Sequence, residues 1–122
     1  LGFEMAKVDG IGGVFFRARD PEALAAWYAE HLGVGGDASG APWQQSAGYT
    51  VFAPFPDTTD YFSEGQAFML NFRVADLDSL TAGLEAAGIA VERRAEWDSA
   101  VGRFARIQDP EGNPIELWQP TV

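Results

Sequence analysis

The stretch that decides the fold is Phe104 to Trp118, FARIQDPEGNPIELW. On either side of its centre, apolar and polar residues alternate, as they do in a strand with one buried face. The centre, Asp109 to Asn113, holds the Asp, Pro, Gly and Asn residues that are typical of turns. We therefore predict strands at Arg103 to Gln108 and at Ile115 to Gln119, with a turn between them.

Upstream of this stretch, the pattern predicts a strand, a helix and a further strand. Met69 to Val74 alternates and is expected to form a half-buried strand. Asp76 then suits a helix N-cap, and Gly88 suits the helix end. Ala90 to Arg94 is predicted as the further strand. The apolar stripe of the helix, which we expect to face the sheet, consists of Leu77, Leu80, Leu84 and Ala87.

The first half of the chain repeats the same order of elements. Asp20 followed by Pro21 predicts the start of a helix, and Gly33 predicts its end. The spacing agrees between the halves because Phe16, Arg17 and Asp20 align with Phe72, Arg73 and Asp76. The remaining predictions for this half are strands at Gly13 to Ala18, Trp43 to Gln45 and Tyr49 to Ala53, and a polar loop at Pro54 to Gln66.

Composition and charge exclude several classes of function. Eight Lys and Arg residues against eighteen Asp and Glu residues give a net charge of −10, which repels nucleic acids and anionic membranes. The chain has no cysteine, which removes disulfides, zinc–thiolate sites and thiol chemistry. No apolar run is long enough to cross a bilayer, and Leu1 to Lys7 shows no targeting signal. We therefore expect a cytoplasmic protein.

Three separated signatures together resemble one known group of proteins, the vicinal oxygen chelate superfamily. It contains glyoxalase I, extradiol dioxygenases, and fosfomycin- and bleomycin-resistance proteins. The resemblance implies an α+β fold in which two paired βαβββ modules form a curled mixed sheet around a ligand cavity. It also implies a single domain over residues 1–122, with modules at about 8–56 and 66–120, that acts as a homodimer. The signatures are Asp20 and Asp76 at the strand-to-helix joints, Trp27-Tyr28 before Leu32-Gly33, and Asp109 to Asn113 leading into Ile115 to Leu117.

At the metal positions of this superfamily, the sequence departs from the pattern. Metal-using members carry a His seven residues before each joint Asp, and these positions are Gly13 and Met69 here. Glu116 matches the acidic ligand of the second half, whereas residues 43–54 contain no Asp or Glu. Glycine has no side chain, and a thioether is too soft for a hard divalent cation. We therefore predict no metal site and no cofactor.

Strand alternation predicts which residues face the cavity. The apolar even-numbered positions of the early strands are expected to meet the helices, so the odd-numbered positions face the cavity. In the last strand the same reasoning turns Glu116 and Trp118 towards the cavity, and Glu116 is the candidate catalytic residue. The predicted ligand contacts are Phe15, Arg17, Trp43, Tyr61, Met69, Asn71, Arg73, Phe104, Arg106 and Trp118.

Several of these residues have two interpretations. Glu116 is either a structural carboxylate bonded to a neighbouring Arg or Tyr, or a base or ligand contact in the cavity. The arginines either hold an anionic ligand by bidentate hydrogen bonds, or pair with Glu116 and the joint aspartates. The loop Pro54 to Gln66, with Phe55 and Tyr61, is either a lid or a dimer contact.

These observations favour a protein that binds a small molecule, a drug or a metabolite, without a metal, as the bleomycin-resistance branch does. The acidic composition suits a cationic compound. The alternative is an enzyme of lyase, isomerase or dioxygenase type, either metal-free with Glu116 as general base or with an unrecognised metal site. A third possibility is an accessory subunit whose aromatic loop docks a partner protein. Fold alone does not choose between them, because function resides in the site.

Overall fold

The computed structural model describes residues 6–35 and 42–121. None of the described helices is long and apolar enough to cross a membrane. In chain order the elements are α1 (Pro21–Leu32), β1 (Leu70–Arg73), α2 (Leu77–Ala86), a 3₁₀ turn (Ala95–Trp97), β2 (Gly102–Gln108) and β3 (Pro114–Pro120).

The three strands form one mixed sheet in the order β1-β3-β2. β1 runs parallel to β3, with Arg73 opposite Trp118. β2 runs antiparallel to β3, with Arg106 opposite Glu116. The predicted α+β class with a mixed sheet is confirmed, and the sheet is not closed. The turn at residues 109–113 that joins β2 to β3 is also confirmed, since the Gly112 amide donates to the Asp109 carbonyl.

Both helices begin at the predicted residues. Asp20 caps α1 by accepting from the Ala23 amide at 3.1 Å, and Pro21 takes the first helical position. Asp76 caps α2 through the Ser79 amide, also at 3.1 Å. α1 ends at Gly33, whose φ of 67° lies in the left-handed region that glycine adopts without strain. These caps satisfy backbone groups that a helix end leaves unpaired.

The core lies between the two helices and one face of the sheet. Alternation along β2 and β3 places every second residue on this face, as the sequence predicts, and turns Phe104 and Trp118 to the other. The buried members of the core are Leu24 and Tyr28 from α1, Leu77 and Leu84 from α2, and Ala105, Ile107, Ile115 and Leu117 from the sheet.

The strand predictions for the first half are wrong for the described residues. The segments 13–18, 43–45 and 49–53 contain no strand. In the second half, the strand predicted at 90–94 is reduced to a single bridge between Glu92 and Arg106. Alternation shows which face of a segment is apolar, but a strand also needs a partner edge. Phe16 nevertheless meets α1 as predicted, with its ring edge-on to Tyr28 at 6.4 Å.

Candidate functional site

A polar row crosses the sheet on the face opposite the helices, which we call the open face. β1 supplies Asn71, β3 supplies Glu116 and β2 supplies Arg106, and the three lie side by side in register. They share this face because their sequence neighbours Ile107, Ile115 and Leu117 point into the core. The strand register therefore brings together residues that lie far apart in the sequence.

Glu116 is the centre of this row and is only 7% exposed. Its Oε1 accepts from Asn71 Nδ2 at 2.8 Å. Its Oε2 accepts from the Tyr61 hydroxyl, which reaches the sheet from the loop 54–66. Burial, reinforced by the hydrogen bond to Glu116, raises the pKa of Tyr61 to about 12. Both oxygens of the carboxylate are thus held by neutral donors.

Arg106 forms the second part of the cluster. Its Nη1 donates to the Tyr61 carbonyl at 2.6 Å. Its guanidinium carbon stands 4.6 Å from the centre of the Tyr61 ring and 5.3 Å from that of the Trp97 ring, distances at which a cation attracts an aromatic face. Its Nε is buried and has no hydrogen-bond partner among the described residues. The cluster therefore retains one unpaired donor.

A second row lies beside the first and is largely aromatic. Trp118 on β3 stands between Arg73 and Phe104 in the strand register. The rings of Phe104 and Trp118 are stacked, with centroids 6.4 Å apart and planes 8° apart. The Trp118 indole donates to the Val101 carbonyl at 3.0 Å, which fixes its orientation. The pair gives the open face a flat apolar wall.

Arg73 is held by main-chain carbonyls of the first half. Its Nη2 donates to the Ser46 carbonyl at 2.8 Å and its Nη1 to the Ala47 carbonyl at 3.4 Å. Gly48 allows this approach, because a Cβ there would lie 2.1 Å from Arg73 Nη1. Among the described residues, the ion pairs do not include Arg73, so its charge is not neutralised by a carboxylate.

A concavity of about 2300 Å³ is lined by residues of both rows, by segments of the first half and by α1 residues such as Leu24 and Tyr28. Typical small-molecule sites have volumes of roughly 300–1,000 Å³, so this space is larger than one small ligand fills. Arg106 and Arg17 are not part of its lining. The predicted contacts that line it are Phe15, Trp43, Tyr61, Met69, Asn71, Arg73, Phe104, Glu116 and Trp118.

The structure does not bring every predicted residue into the cluster. Phe15 is 96% exposed, and Arg17 is also exposed. Trp43 lines the concavity and is 43% exposed. Sequence reasoning missed Trp97, because no local spacing marks it and its partner Arg106 reaches it only through the fold. It also missed the Ser46 carbonyl, since main-chain atoms leave no signal in the sequence.

With this geometry in place, comparison with known proteins gives the family. The family model of the glyoxalase-like domain matches residues 13–118. The chain belongs to this family. A search of curated proteins finds no match. The match to the glyoxalase-like domain covers both helices and the sheet up to Trp118, so the resemblance to the vicinal oxygen chelate superfamily is confirmed.

Two solved structures are similar to part of this glyoxalase-like domain, each at 38% identity. One is TnmS3, an antibiotic binding protein from Streptomyces sp. CB03234, with a TM-score of 0.39 over 43% of this chain and 41% of that chain. The other is a glyoxalase/bleomycin resistance protein from the same Streptomyces sp. CB03234, with a TM-score of 0.37 over 41% of this chain and 42% of that chain. The matched region thus spans less than half the length of each relative.

The metal positions of the superfamily do not suit a metal ion in this glyoxalase-like domain. Residues 13 and 69 are Gly and Met, which offer no hard oxygen or nitrogen side-chain ligand. At the third position, both oxygens of Glu116 are engaged by Asn71 and Tyr61. Within residues 6–35 and 42–121 there is no group of three or more His, Cys, Asp or Glu side chains placed to hold a metal.

Proposed function

We propose that this glyoxalase-like domain binds a small molecule, a drug or a metabolite, on the open face of its sheet without a metal ion. The observation that carries the proposal is the buried carboxylate of Glu116, held by Asn71 and Tyr61 beside the stacked pair of Phe104 and Trp118. An apolar wall next to a few fixed polar groups is the usual composition of a ligand site.

The two arginines beside this wall support the same proposal. Arg73 and Arg106 donate to main-chain carbonyls, and neither takes part in the ion pairs of the described residues. A guanidinium bonded only to neutral oxygens keeps its full charge, which is available to an acidic or carbonyl oxygen of a ligand. We therefore infer a ligand with an aromatic body and at least one oxygen acceptor.

A library of aromatic metabolites and antibiotics tests the proposal by thermal shift, followed by calorimetry of each hit with and without EDTA. We expect a hit whose Kd is unchanged by EDTA and increases about tenfold in Glu116→Gln, because one hydrogen-bonded charge is lost. Glu85→Gln, an exposed carboxylate on α2, is the matched control and leaves the Kd unchanged. Loss of binding in EDTA would overturn the metal-free part, and conversion of the hit to a product would favour an enzyme instead.

We also propose that a second copy of the chain covers the exposed apolar segments of the first half. Val8, Phe15, Tyr49 and Phe52 are all mostly exposed there, and extensive exposure of large apolar side chains is typical of an interaction surface. β1 lies at one edge of the sheet and has no partner on its outer side among the described strands. A segment from a second copy that adds to this edge would pair its backbone groups and bury these side chains.

A further inference from the structure

The Tyr61 side chain makes contacts in the proposed site that a bound ligand could make. Its hydroxyl donates to Glu116, and its ring faces the Arg106 guanidinium at 4.6 Å. A third contact comes from Phe55, whose ring centre is 5.6 Å from that of Tyr61. Acceptor, cation and aromatic neighbour together recognise a phenol: a flat ring that carries a hydroxyl donor.

Among the described residues, the rest of the loop 54–66 makes only local hydrogen bonds. The Thr59 amide donates to the Pro56 carbonyl, and the Gln66 amide donates to the Ser63 carbonyl. The Tyr61 amide donates to Thr59 Oγ1, again within the loop. In the part of the chain that the structure describes, the hydrogen bonds that join this loop to the sheet therefore all involve Tyr61. Release of this one residue would break these hydrogen bonds to the sheet and leave the strand pairing intact.

We propose that the site binds a neutral phenolic ring, and that Tyr61 occupies the ring's position until the ligand displaces it. The inference rests on the proposed function and names the ligand class for the same site. A ligand phenol makes the contacts that Tyr61 makes now, with its hydroxyl on Glu116 and its face on Arg106. The exchange leaves the Glu116 carboxylate paired, because one hydroxyl donor replaces another on the same oxygen.

The protonation state of the site adds a condition on the ligand. Next to Glu116 the Tyr61 hydroxyl keeps its proton well above neutral pH, since burial and the carboxylate raise its pKa to about 12. A phenolate in the same position would place two negative charges within hydrogen-bond distance. Phenols that are ionised at the working pH are therefore excluded, and phenols that keep their proton are accepted.

The test uses 4-methylphenol, which has the same ring and hydroxyl as the tyrosine side chain, and calorimetry on the full chain. Tyr61→Ala vacates the ring's position, so we expect 4-methylphenol to bind this variant about tenfold tighter than it binds the wild type. Toluene, which lacks the hydroxyl, is expected to bind the variant about tenfold more weakly than 4-methylphenol. Adding Glu116→Gln to Tyr61→Ala reduces this preference, whereas adding Glu85→Gln preserves it.

Tyr61→Phe is a milder variant that keeps the ring and removes only the hydroxyl, for use where Tyr61→Ala does not fold. Its 4-methylphenol affinity is expected to lie between those of the wild type and Tyr61→Ala. Equal binding of toluene and 4-methylphenol would overturn the phenol assignment and leave small-molecule binding intact. Absence of binding by both compounds in a folded Tyr61→Ala would overturn the open-face site itself. Binding of ionised 4-nitrophenol as tight as that of 4-methylphenol would overturn the requirement for a proton.

Discussion

Tyr28 and Asp109 form the polar contact that joins the first helix to the last turn. The Tyr28 hydroxyl donates to Asp109 Oδ2 at 2.7 Å, and both residues are buried. Asp109 also accepts from the Glu111 and Asn113 amides and from Asn113 Nδ2. A buried carboxylate is stable when donors of this number satisfy its lone pairs. Burial and this carboxylate both raise the pKa of Tyr28.

Removal of the Tyr28 hydroxyl tests the strength of this contact. Tyr28→Phe keeps the ring in the core but leaves Asp109 with one donor fewer, and we expect the free energy of unfolding to fall by about 1–3 kcal/mol. Urea denaturation measures the change. Tyr49→Phe removes a hydroxyl from an exposed ring and serves as the control. Equal effects of the two substitutions would show that the Tyr28–Asp109 bond contributes no stability.

The pKa of Tyr61 gives a prediction about alkaline pH. Burial, and after it the hydrogen bond to Glu116, raise the folded pKa from the ordinary 10.0 to about 12. The stability linked to the protonated hydroxyl is therefore fully present below pH 10 and is lost as the pH rises towards 12. Ultraviolet absorbance of the phenolate, taken as the difference between wild type and Tyr61→Phe, isolates this titration. In Glu116→Gln the midpoint is expected to fall, since the neighbouring charge is removed while the burial remains. An unchanged midpoint would place Tyr61 away from Glu116.

At the scale of elements, each helix start is fixed by a hydrogen bond between residues that lie within one helical turn of each other. Asp20 acts on the Ala23 amide and Asp76 on the Ser79 amide, so short-range sequence patterns predict both starts correctly. The Asp76 pKa is lowered chiefly by the hydrogen bond from the Ser79 amide. Its capping contribution is therefore present above the ordinary carboxyl pKa and is lost as the pH falls below it.

Replacement of the first cap gives a measurable loss of stability. Asp20→Ala leaves the Ala23 amide without its partner, and we expect a loss of about 1 kcal/mol in the free energy of unfolding. Chemical denaturation followed by circular dichroism measures it. Asp57→Ala, in the exposed part of the loop 54–66, is the control and is expected to change little. A loss as large in Asp57→Ala would assign the effect to net charge and not to the cap.

Two glycines of the second half are expected to respond in opposite ways to replacement by alanine. Gly102 has a φ of 150°, and a Cβ there would lie 2.4 Å from the Gln119 carbonyl oxygen and 2.5 Å from Trp118 Nε1. Gly83 on α2 has no atom within 4 Å of an added Cβ. We expect Gly102→Ala to lose about 1–3 kcal/mol and to alter tryptophan fluorescence. Gly83→Ala is expected to gain roughly 0.5–1 kcal/mol, and thermal unfolding of both variants checks the opposite signs.

Alternation predicted the faces of β2 and β3 but not the pairing of the first half. Ile115 and Leu117 enter the core while Glu116 faces away, as the period of two requires. The segment 13–18 alternates equally well, yet it pairs with no strand of the described chain. The bond from Tyr61 to Glu116 crosses 55 positions, so no local spacing reports it. The sequence therefore predicted the individual candidate residues, whereas the contacts between them are seen only in the tertiary structure.

At the scale of the whole molecule, apolar exposure is uneven. Nearly all the large hydrophobic side chains that the described part of the chain exposes precede β1, and Phe52 is 83% exposed. Burial of such surface on association is favourable at about 25 cal/mol per Å² before the cost of association is counted. The first half thus carries the surface that a second copy is proposed to cover.

Sedimentation velocity across a range of concentrations tests the second copy. We expect a dimer in the micromolar range, with an interface of about 1,200–2,000 Å² in total. Phe52→Glu places a charge in the proposed interface and is expected to shift the equilibrium to monomer. Ala82→Glu, on the exposed side of α2, should leave it unchanged. A wild-type monomer at every concentration would contradict the proposal.

The strand order has a consequence for folding during synthesis on the ribosome. β3 is the central strand, yet it is synthesised after β1 and β2, and both neighbours depend on it for pairing. Because only a short turn separates β2 from β3, this hairpin can form soon after β3 is synthesised. β1 stays unpaired while all the residues between Arg73 and Pro114 are synthesised. A nascent chain arrested before Pro114 therefore holds β1 and β2 without their common partner, so this sheet forms only once β3 has been synthesised.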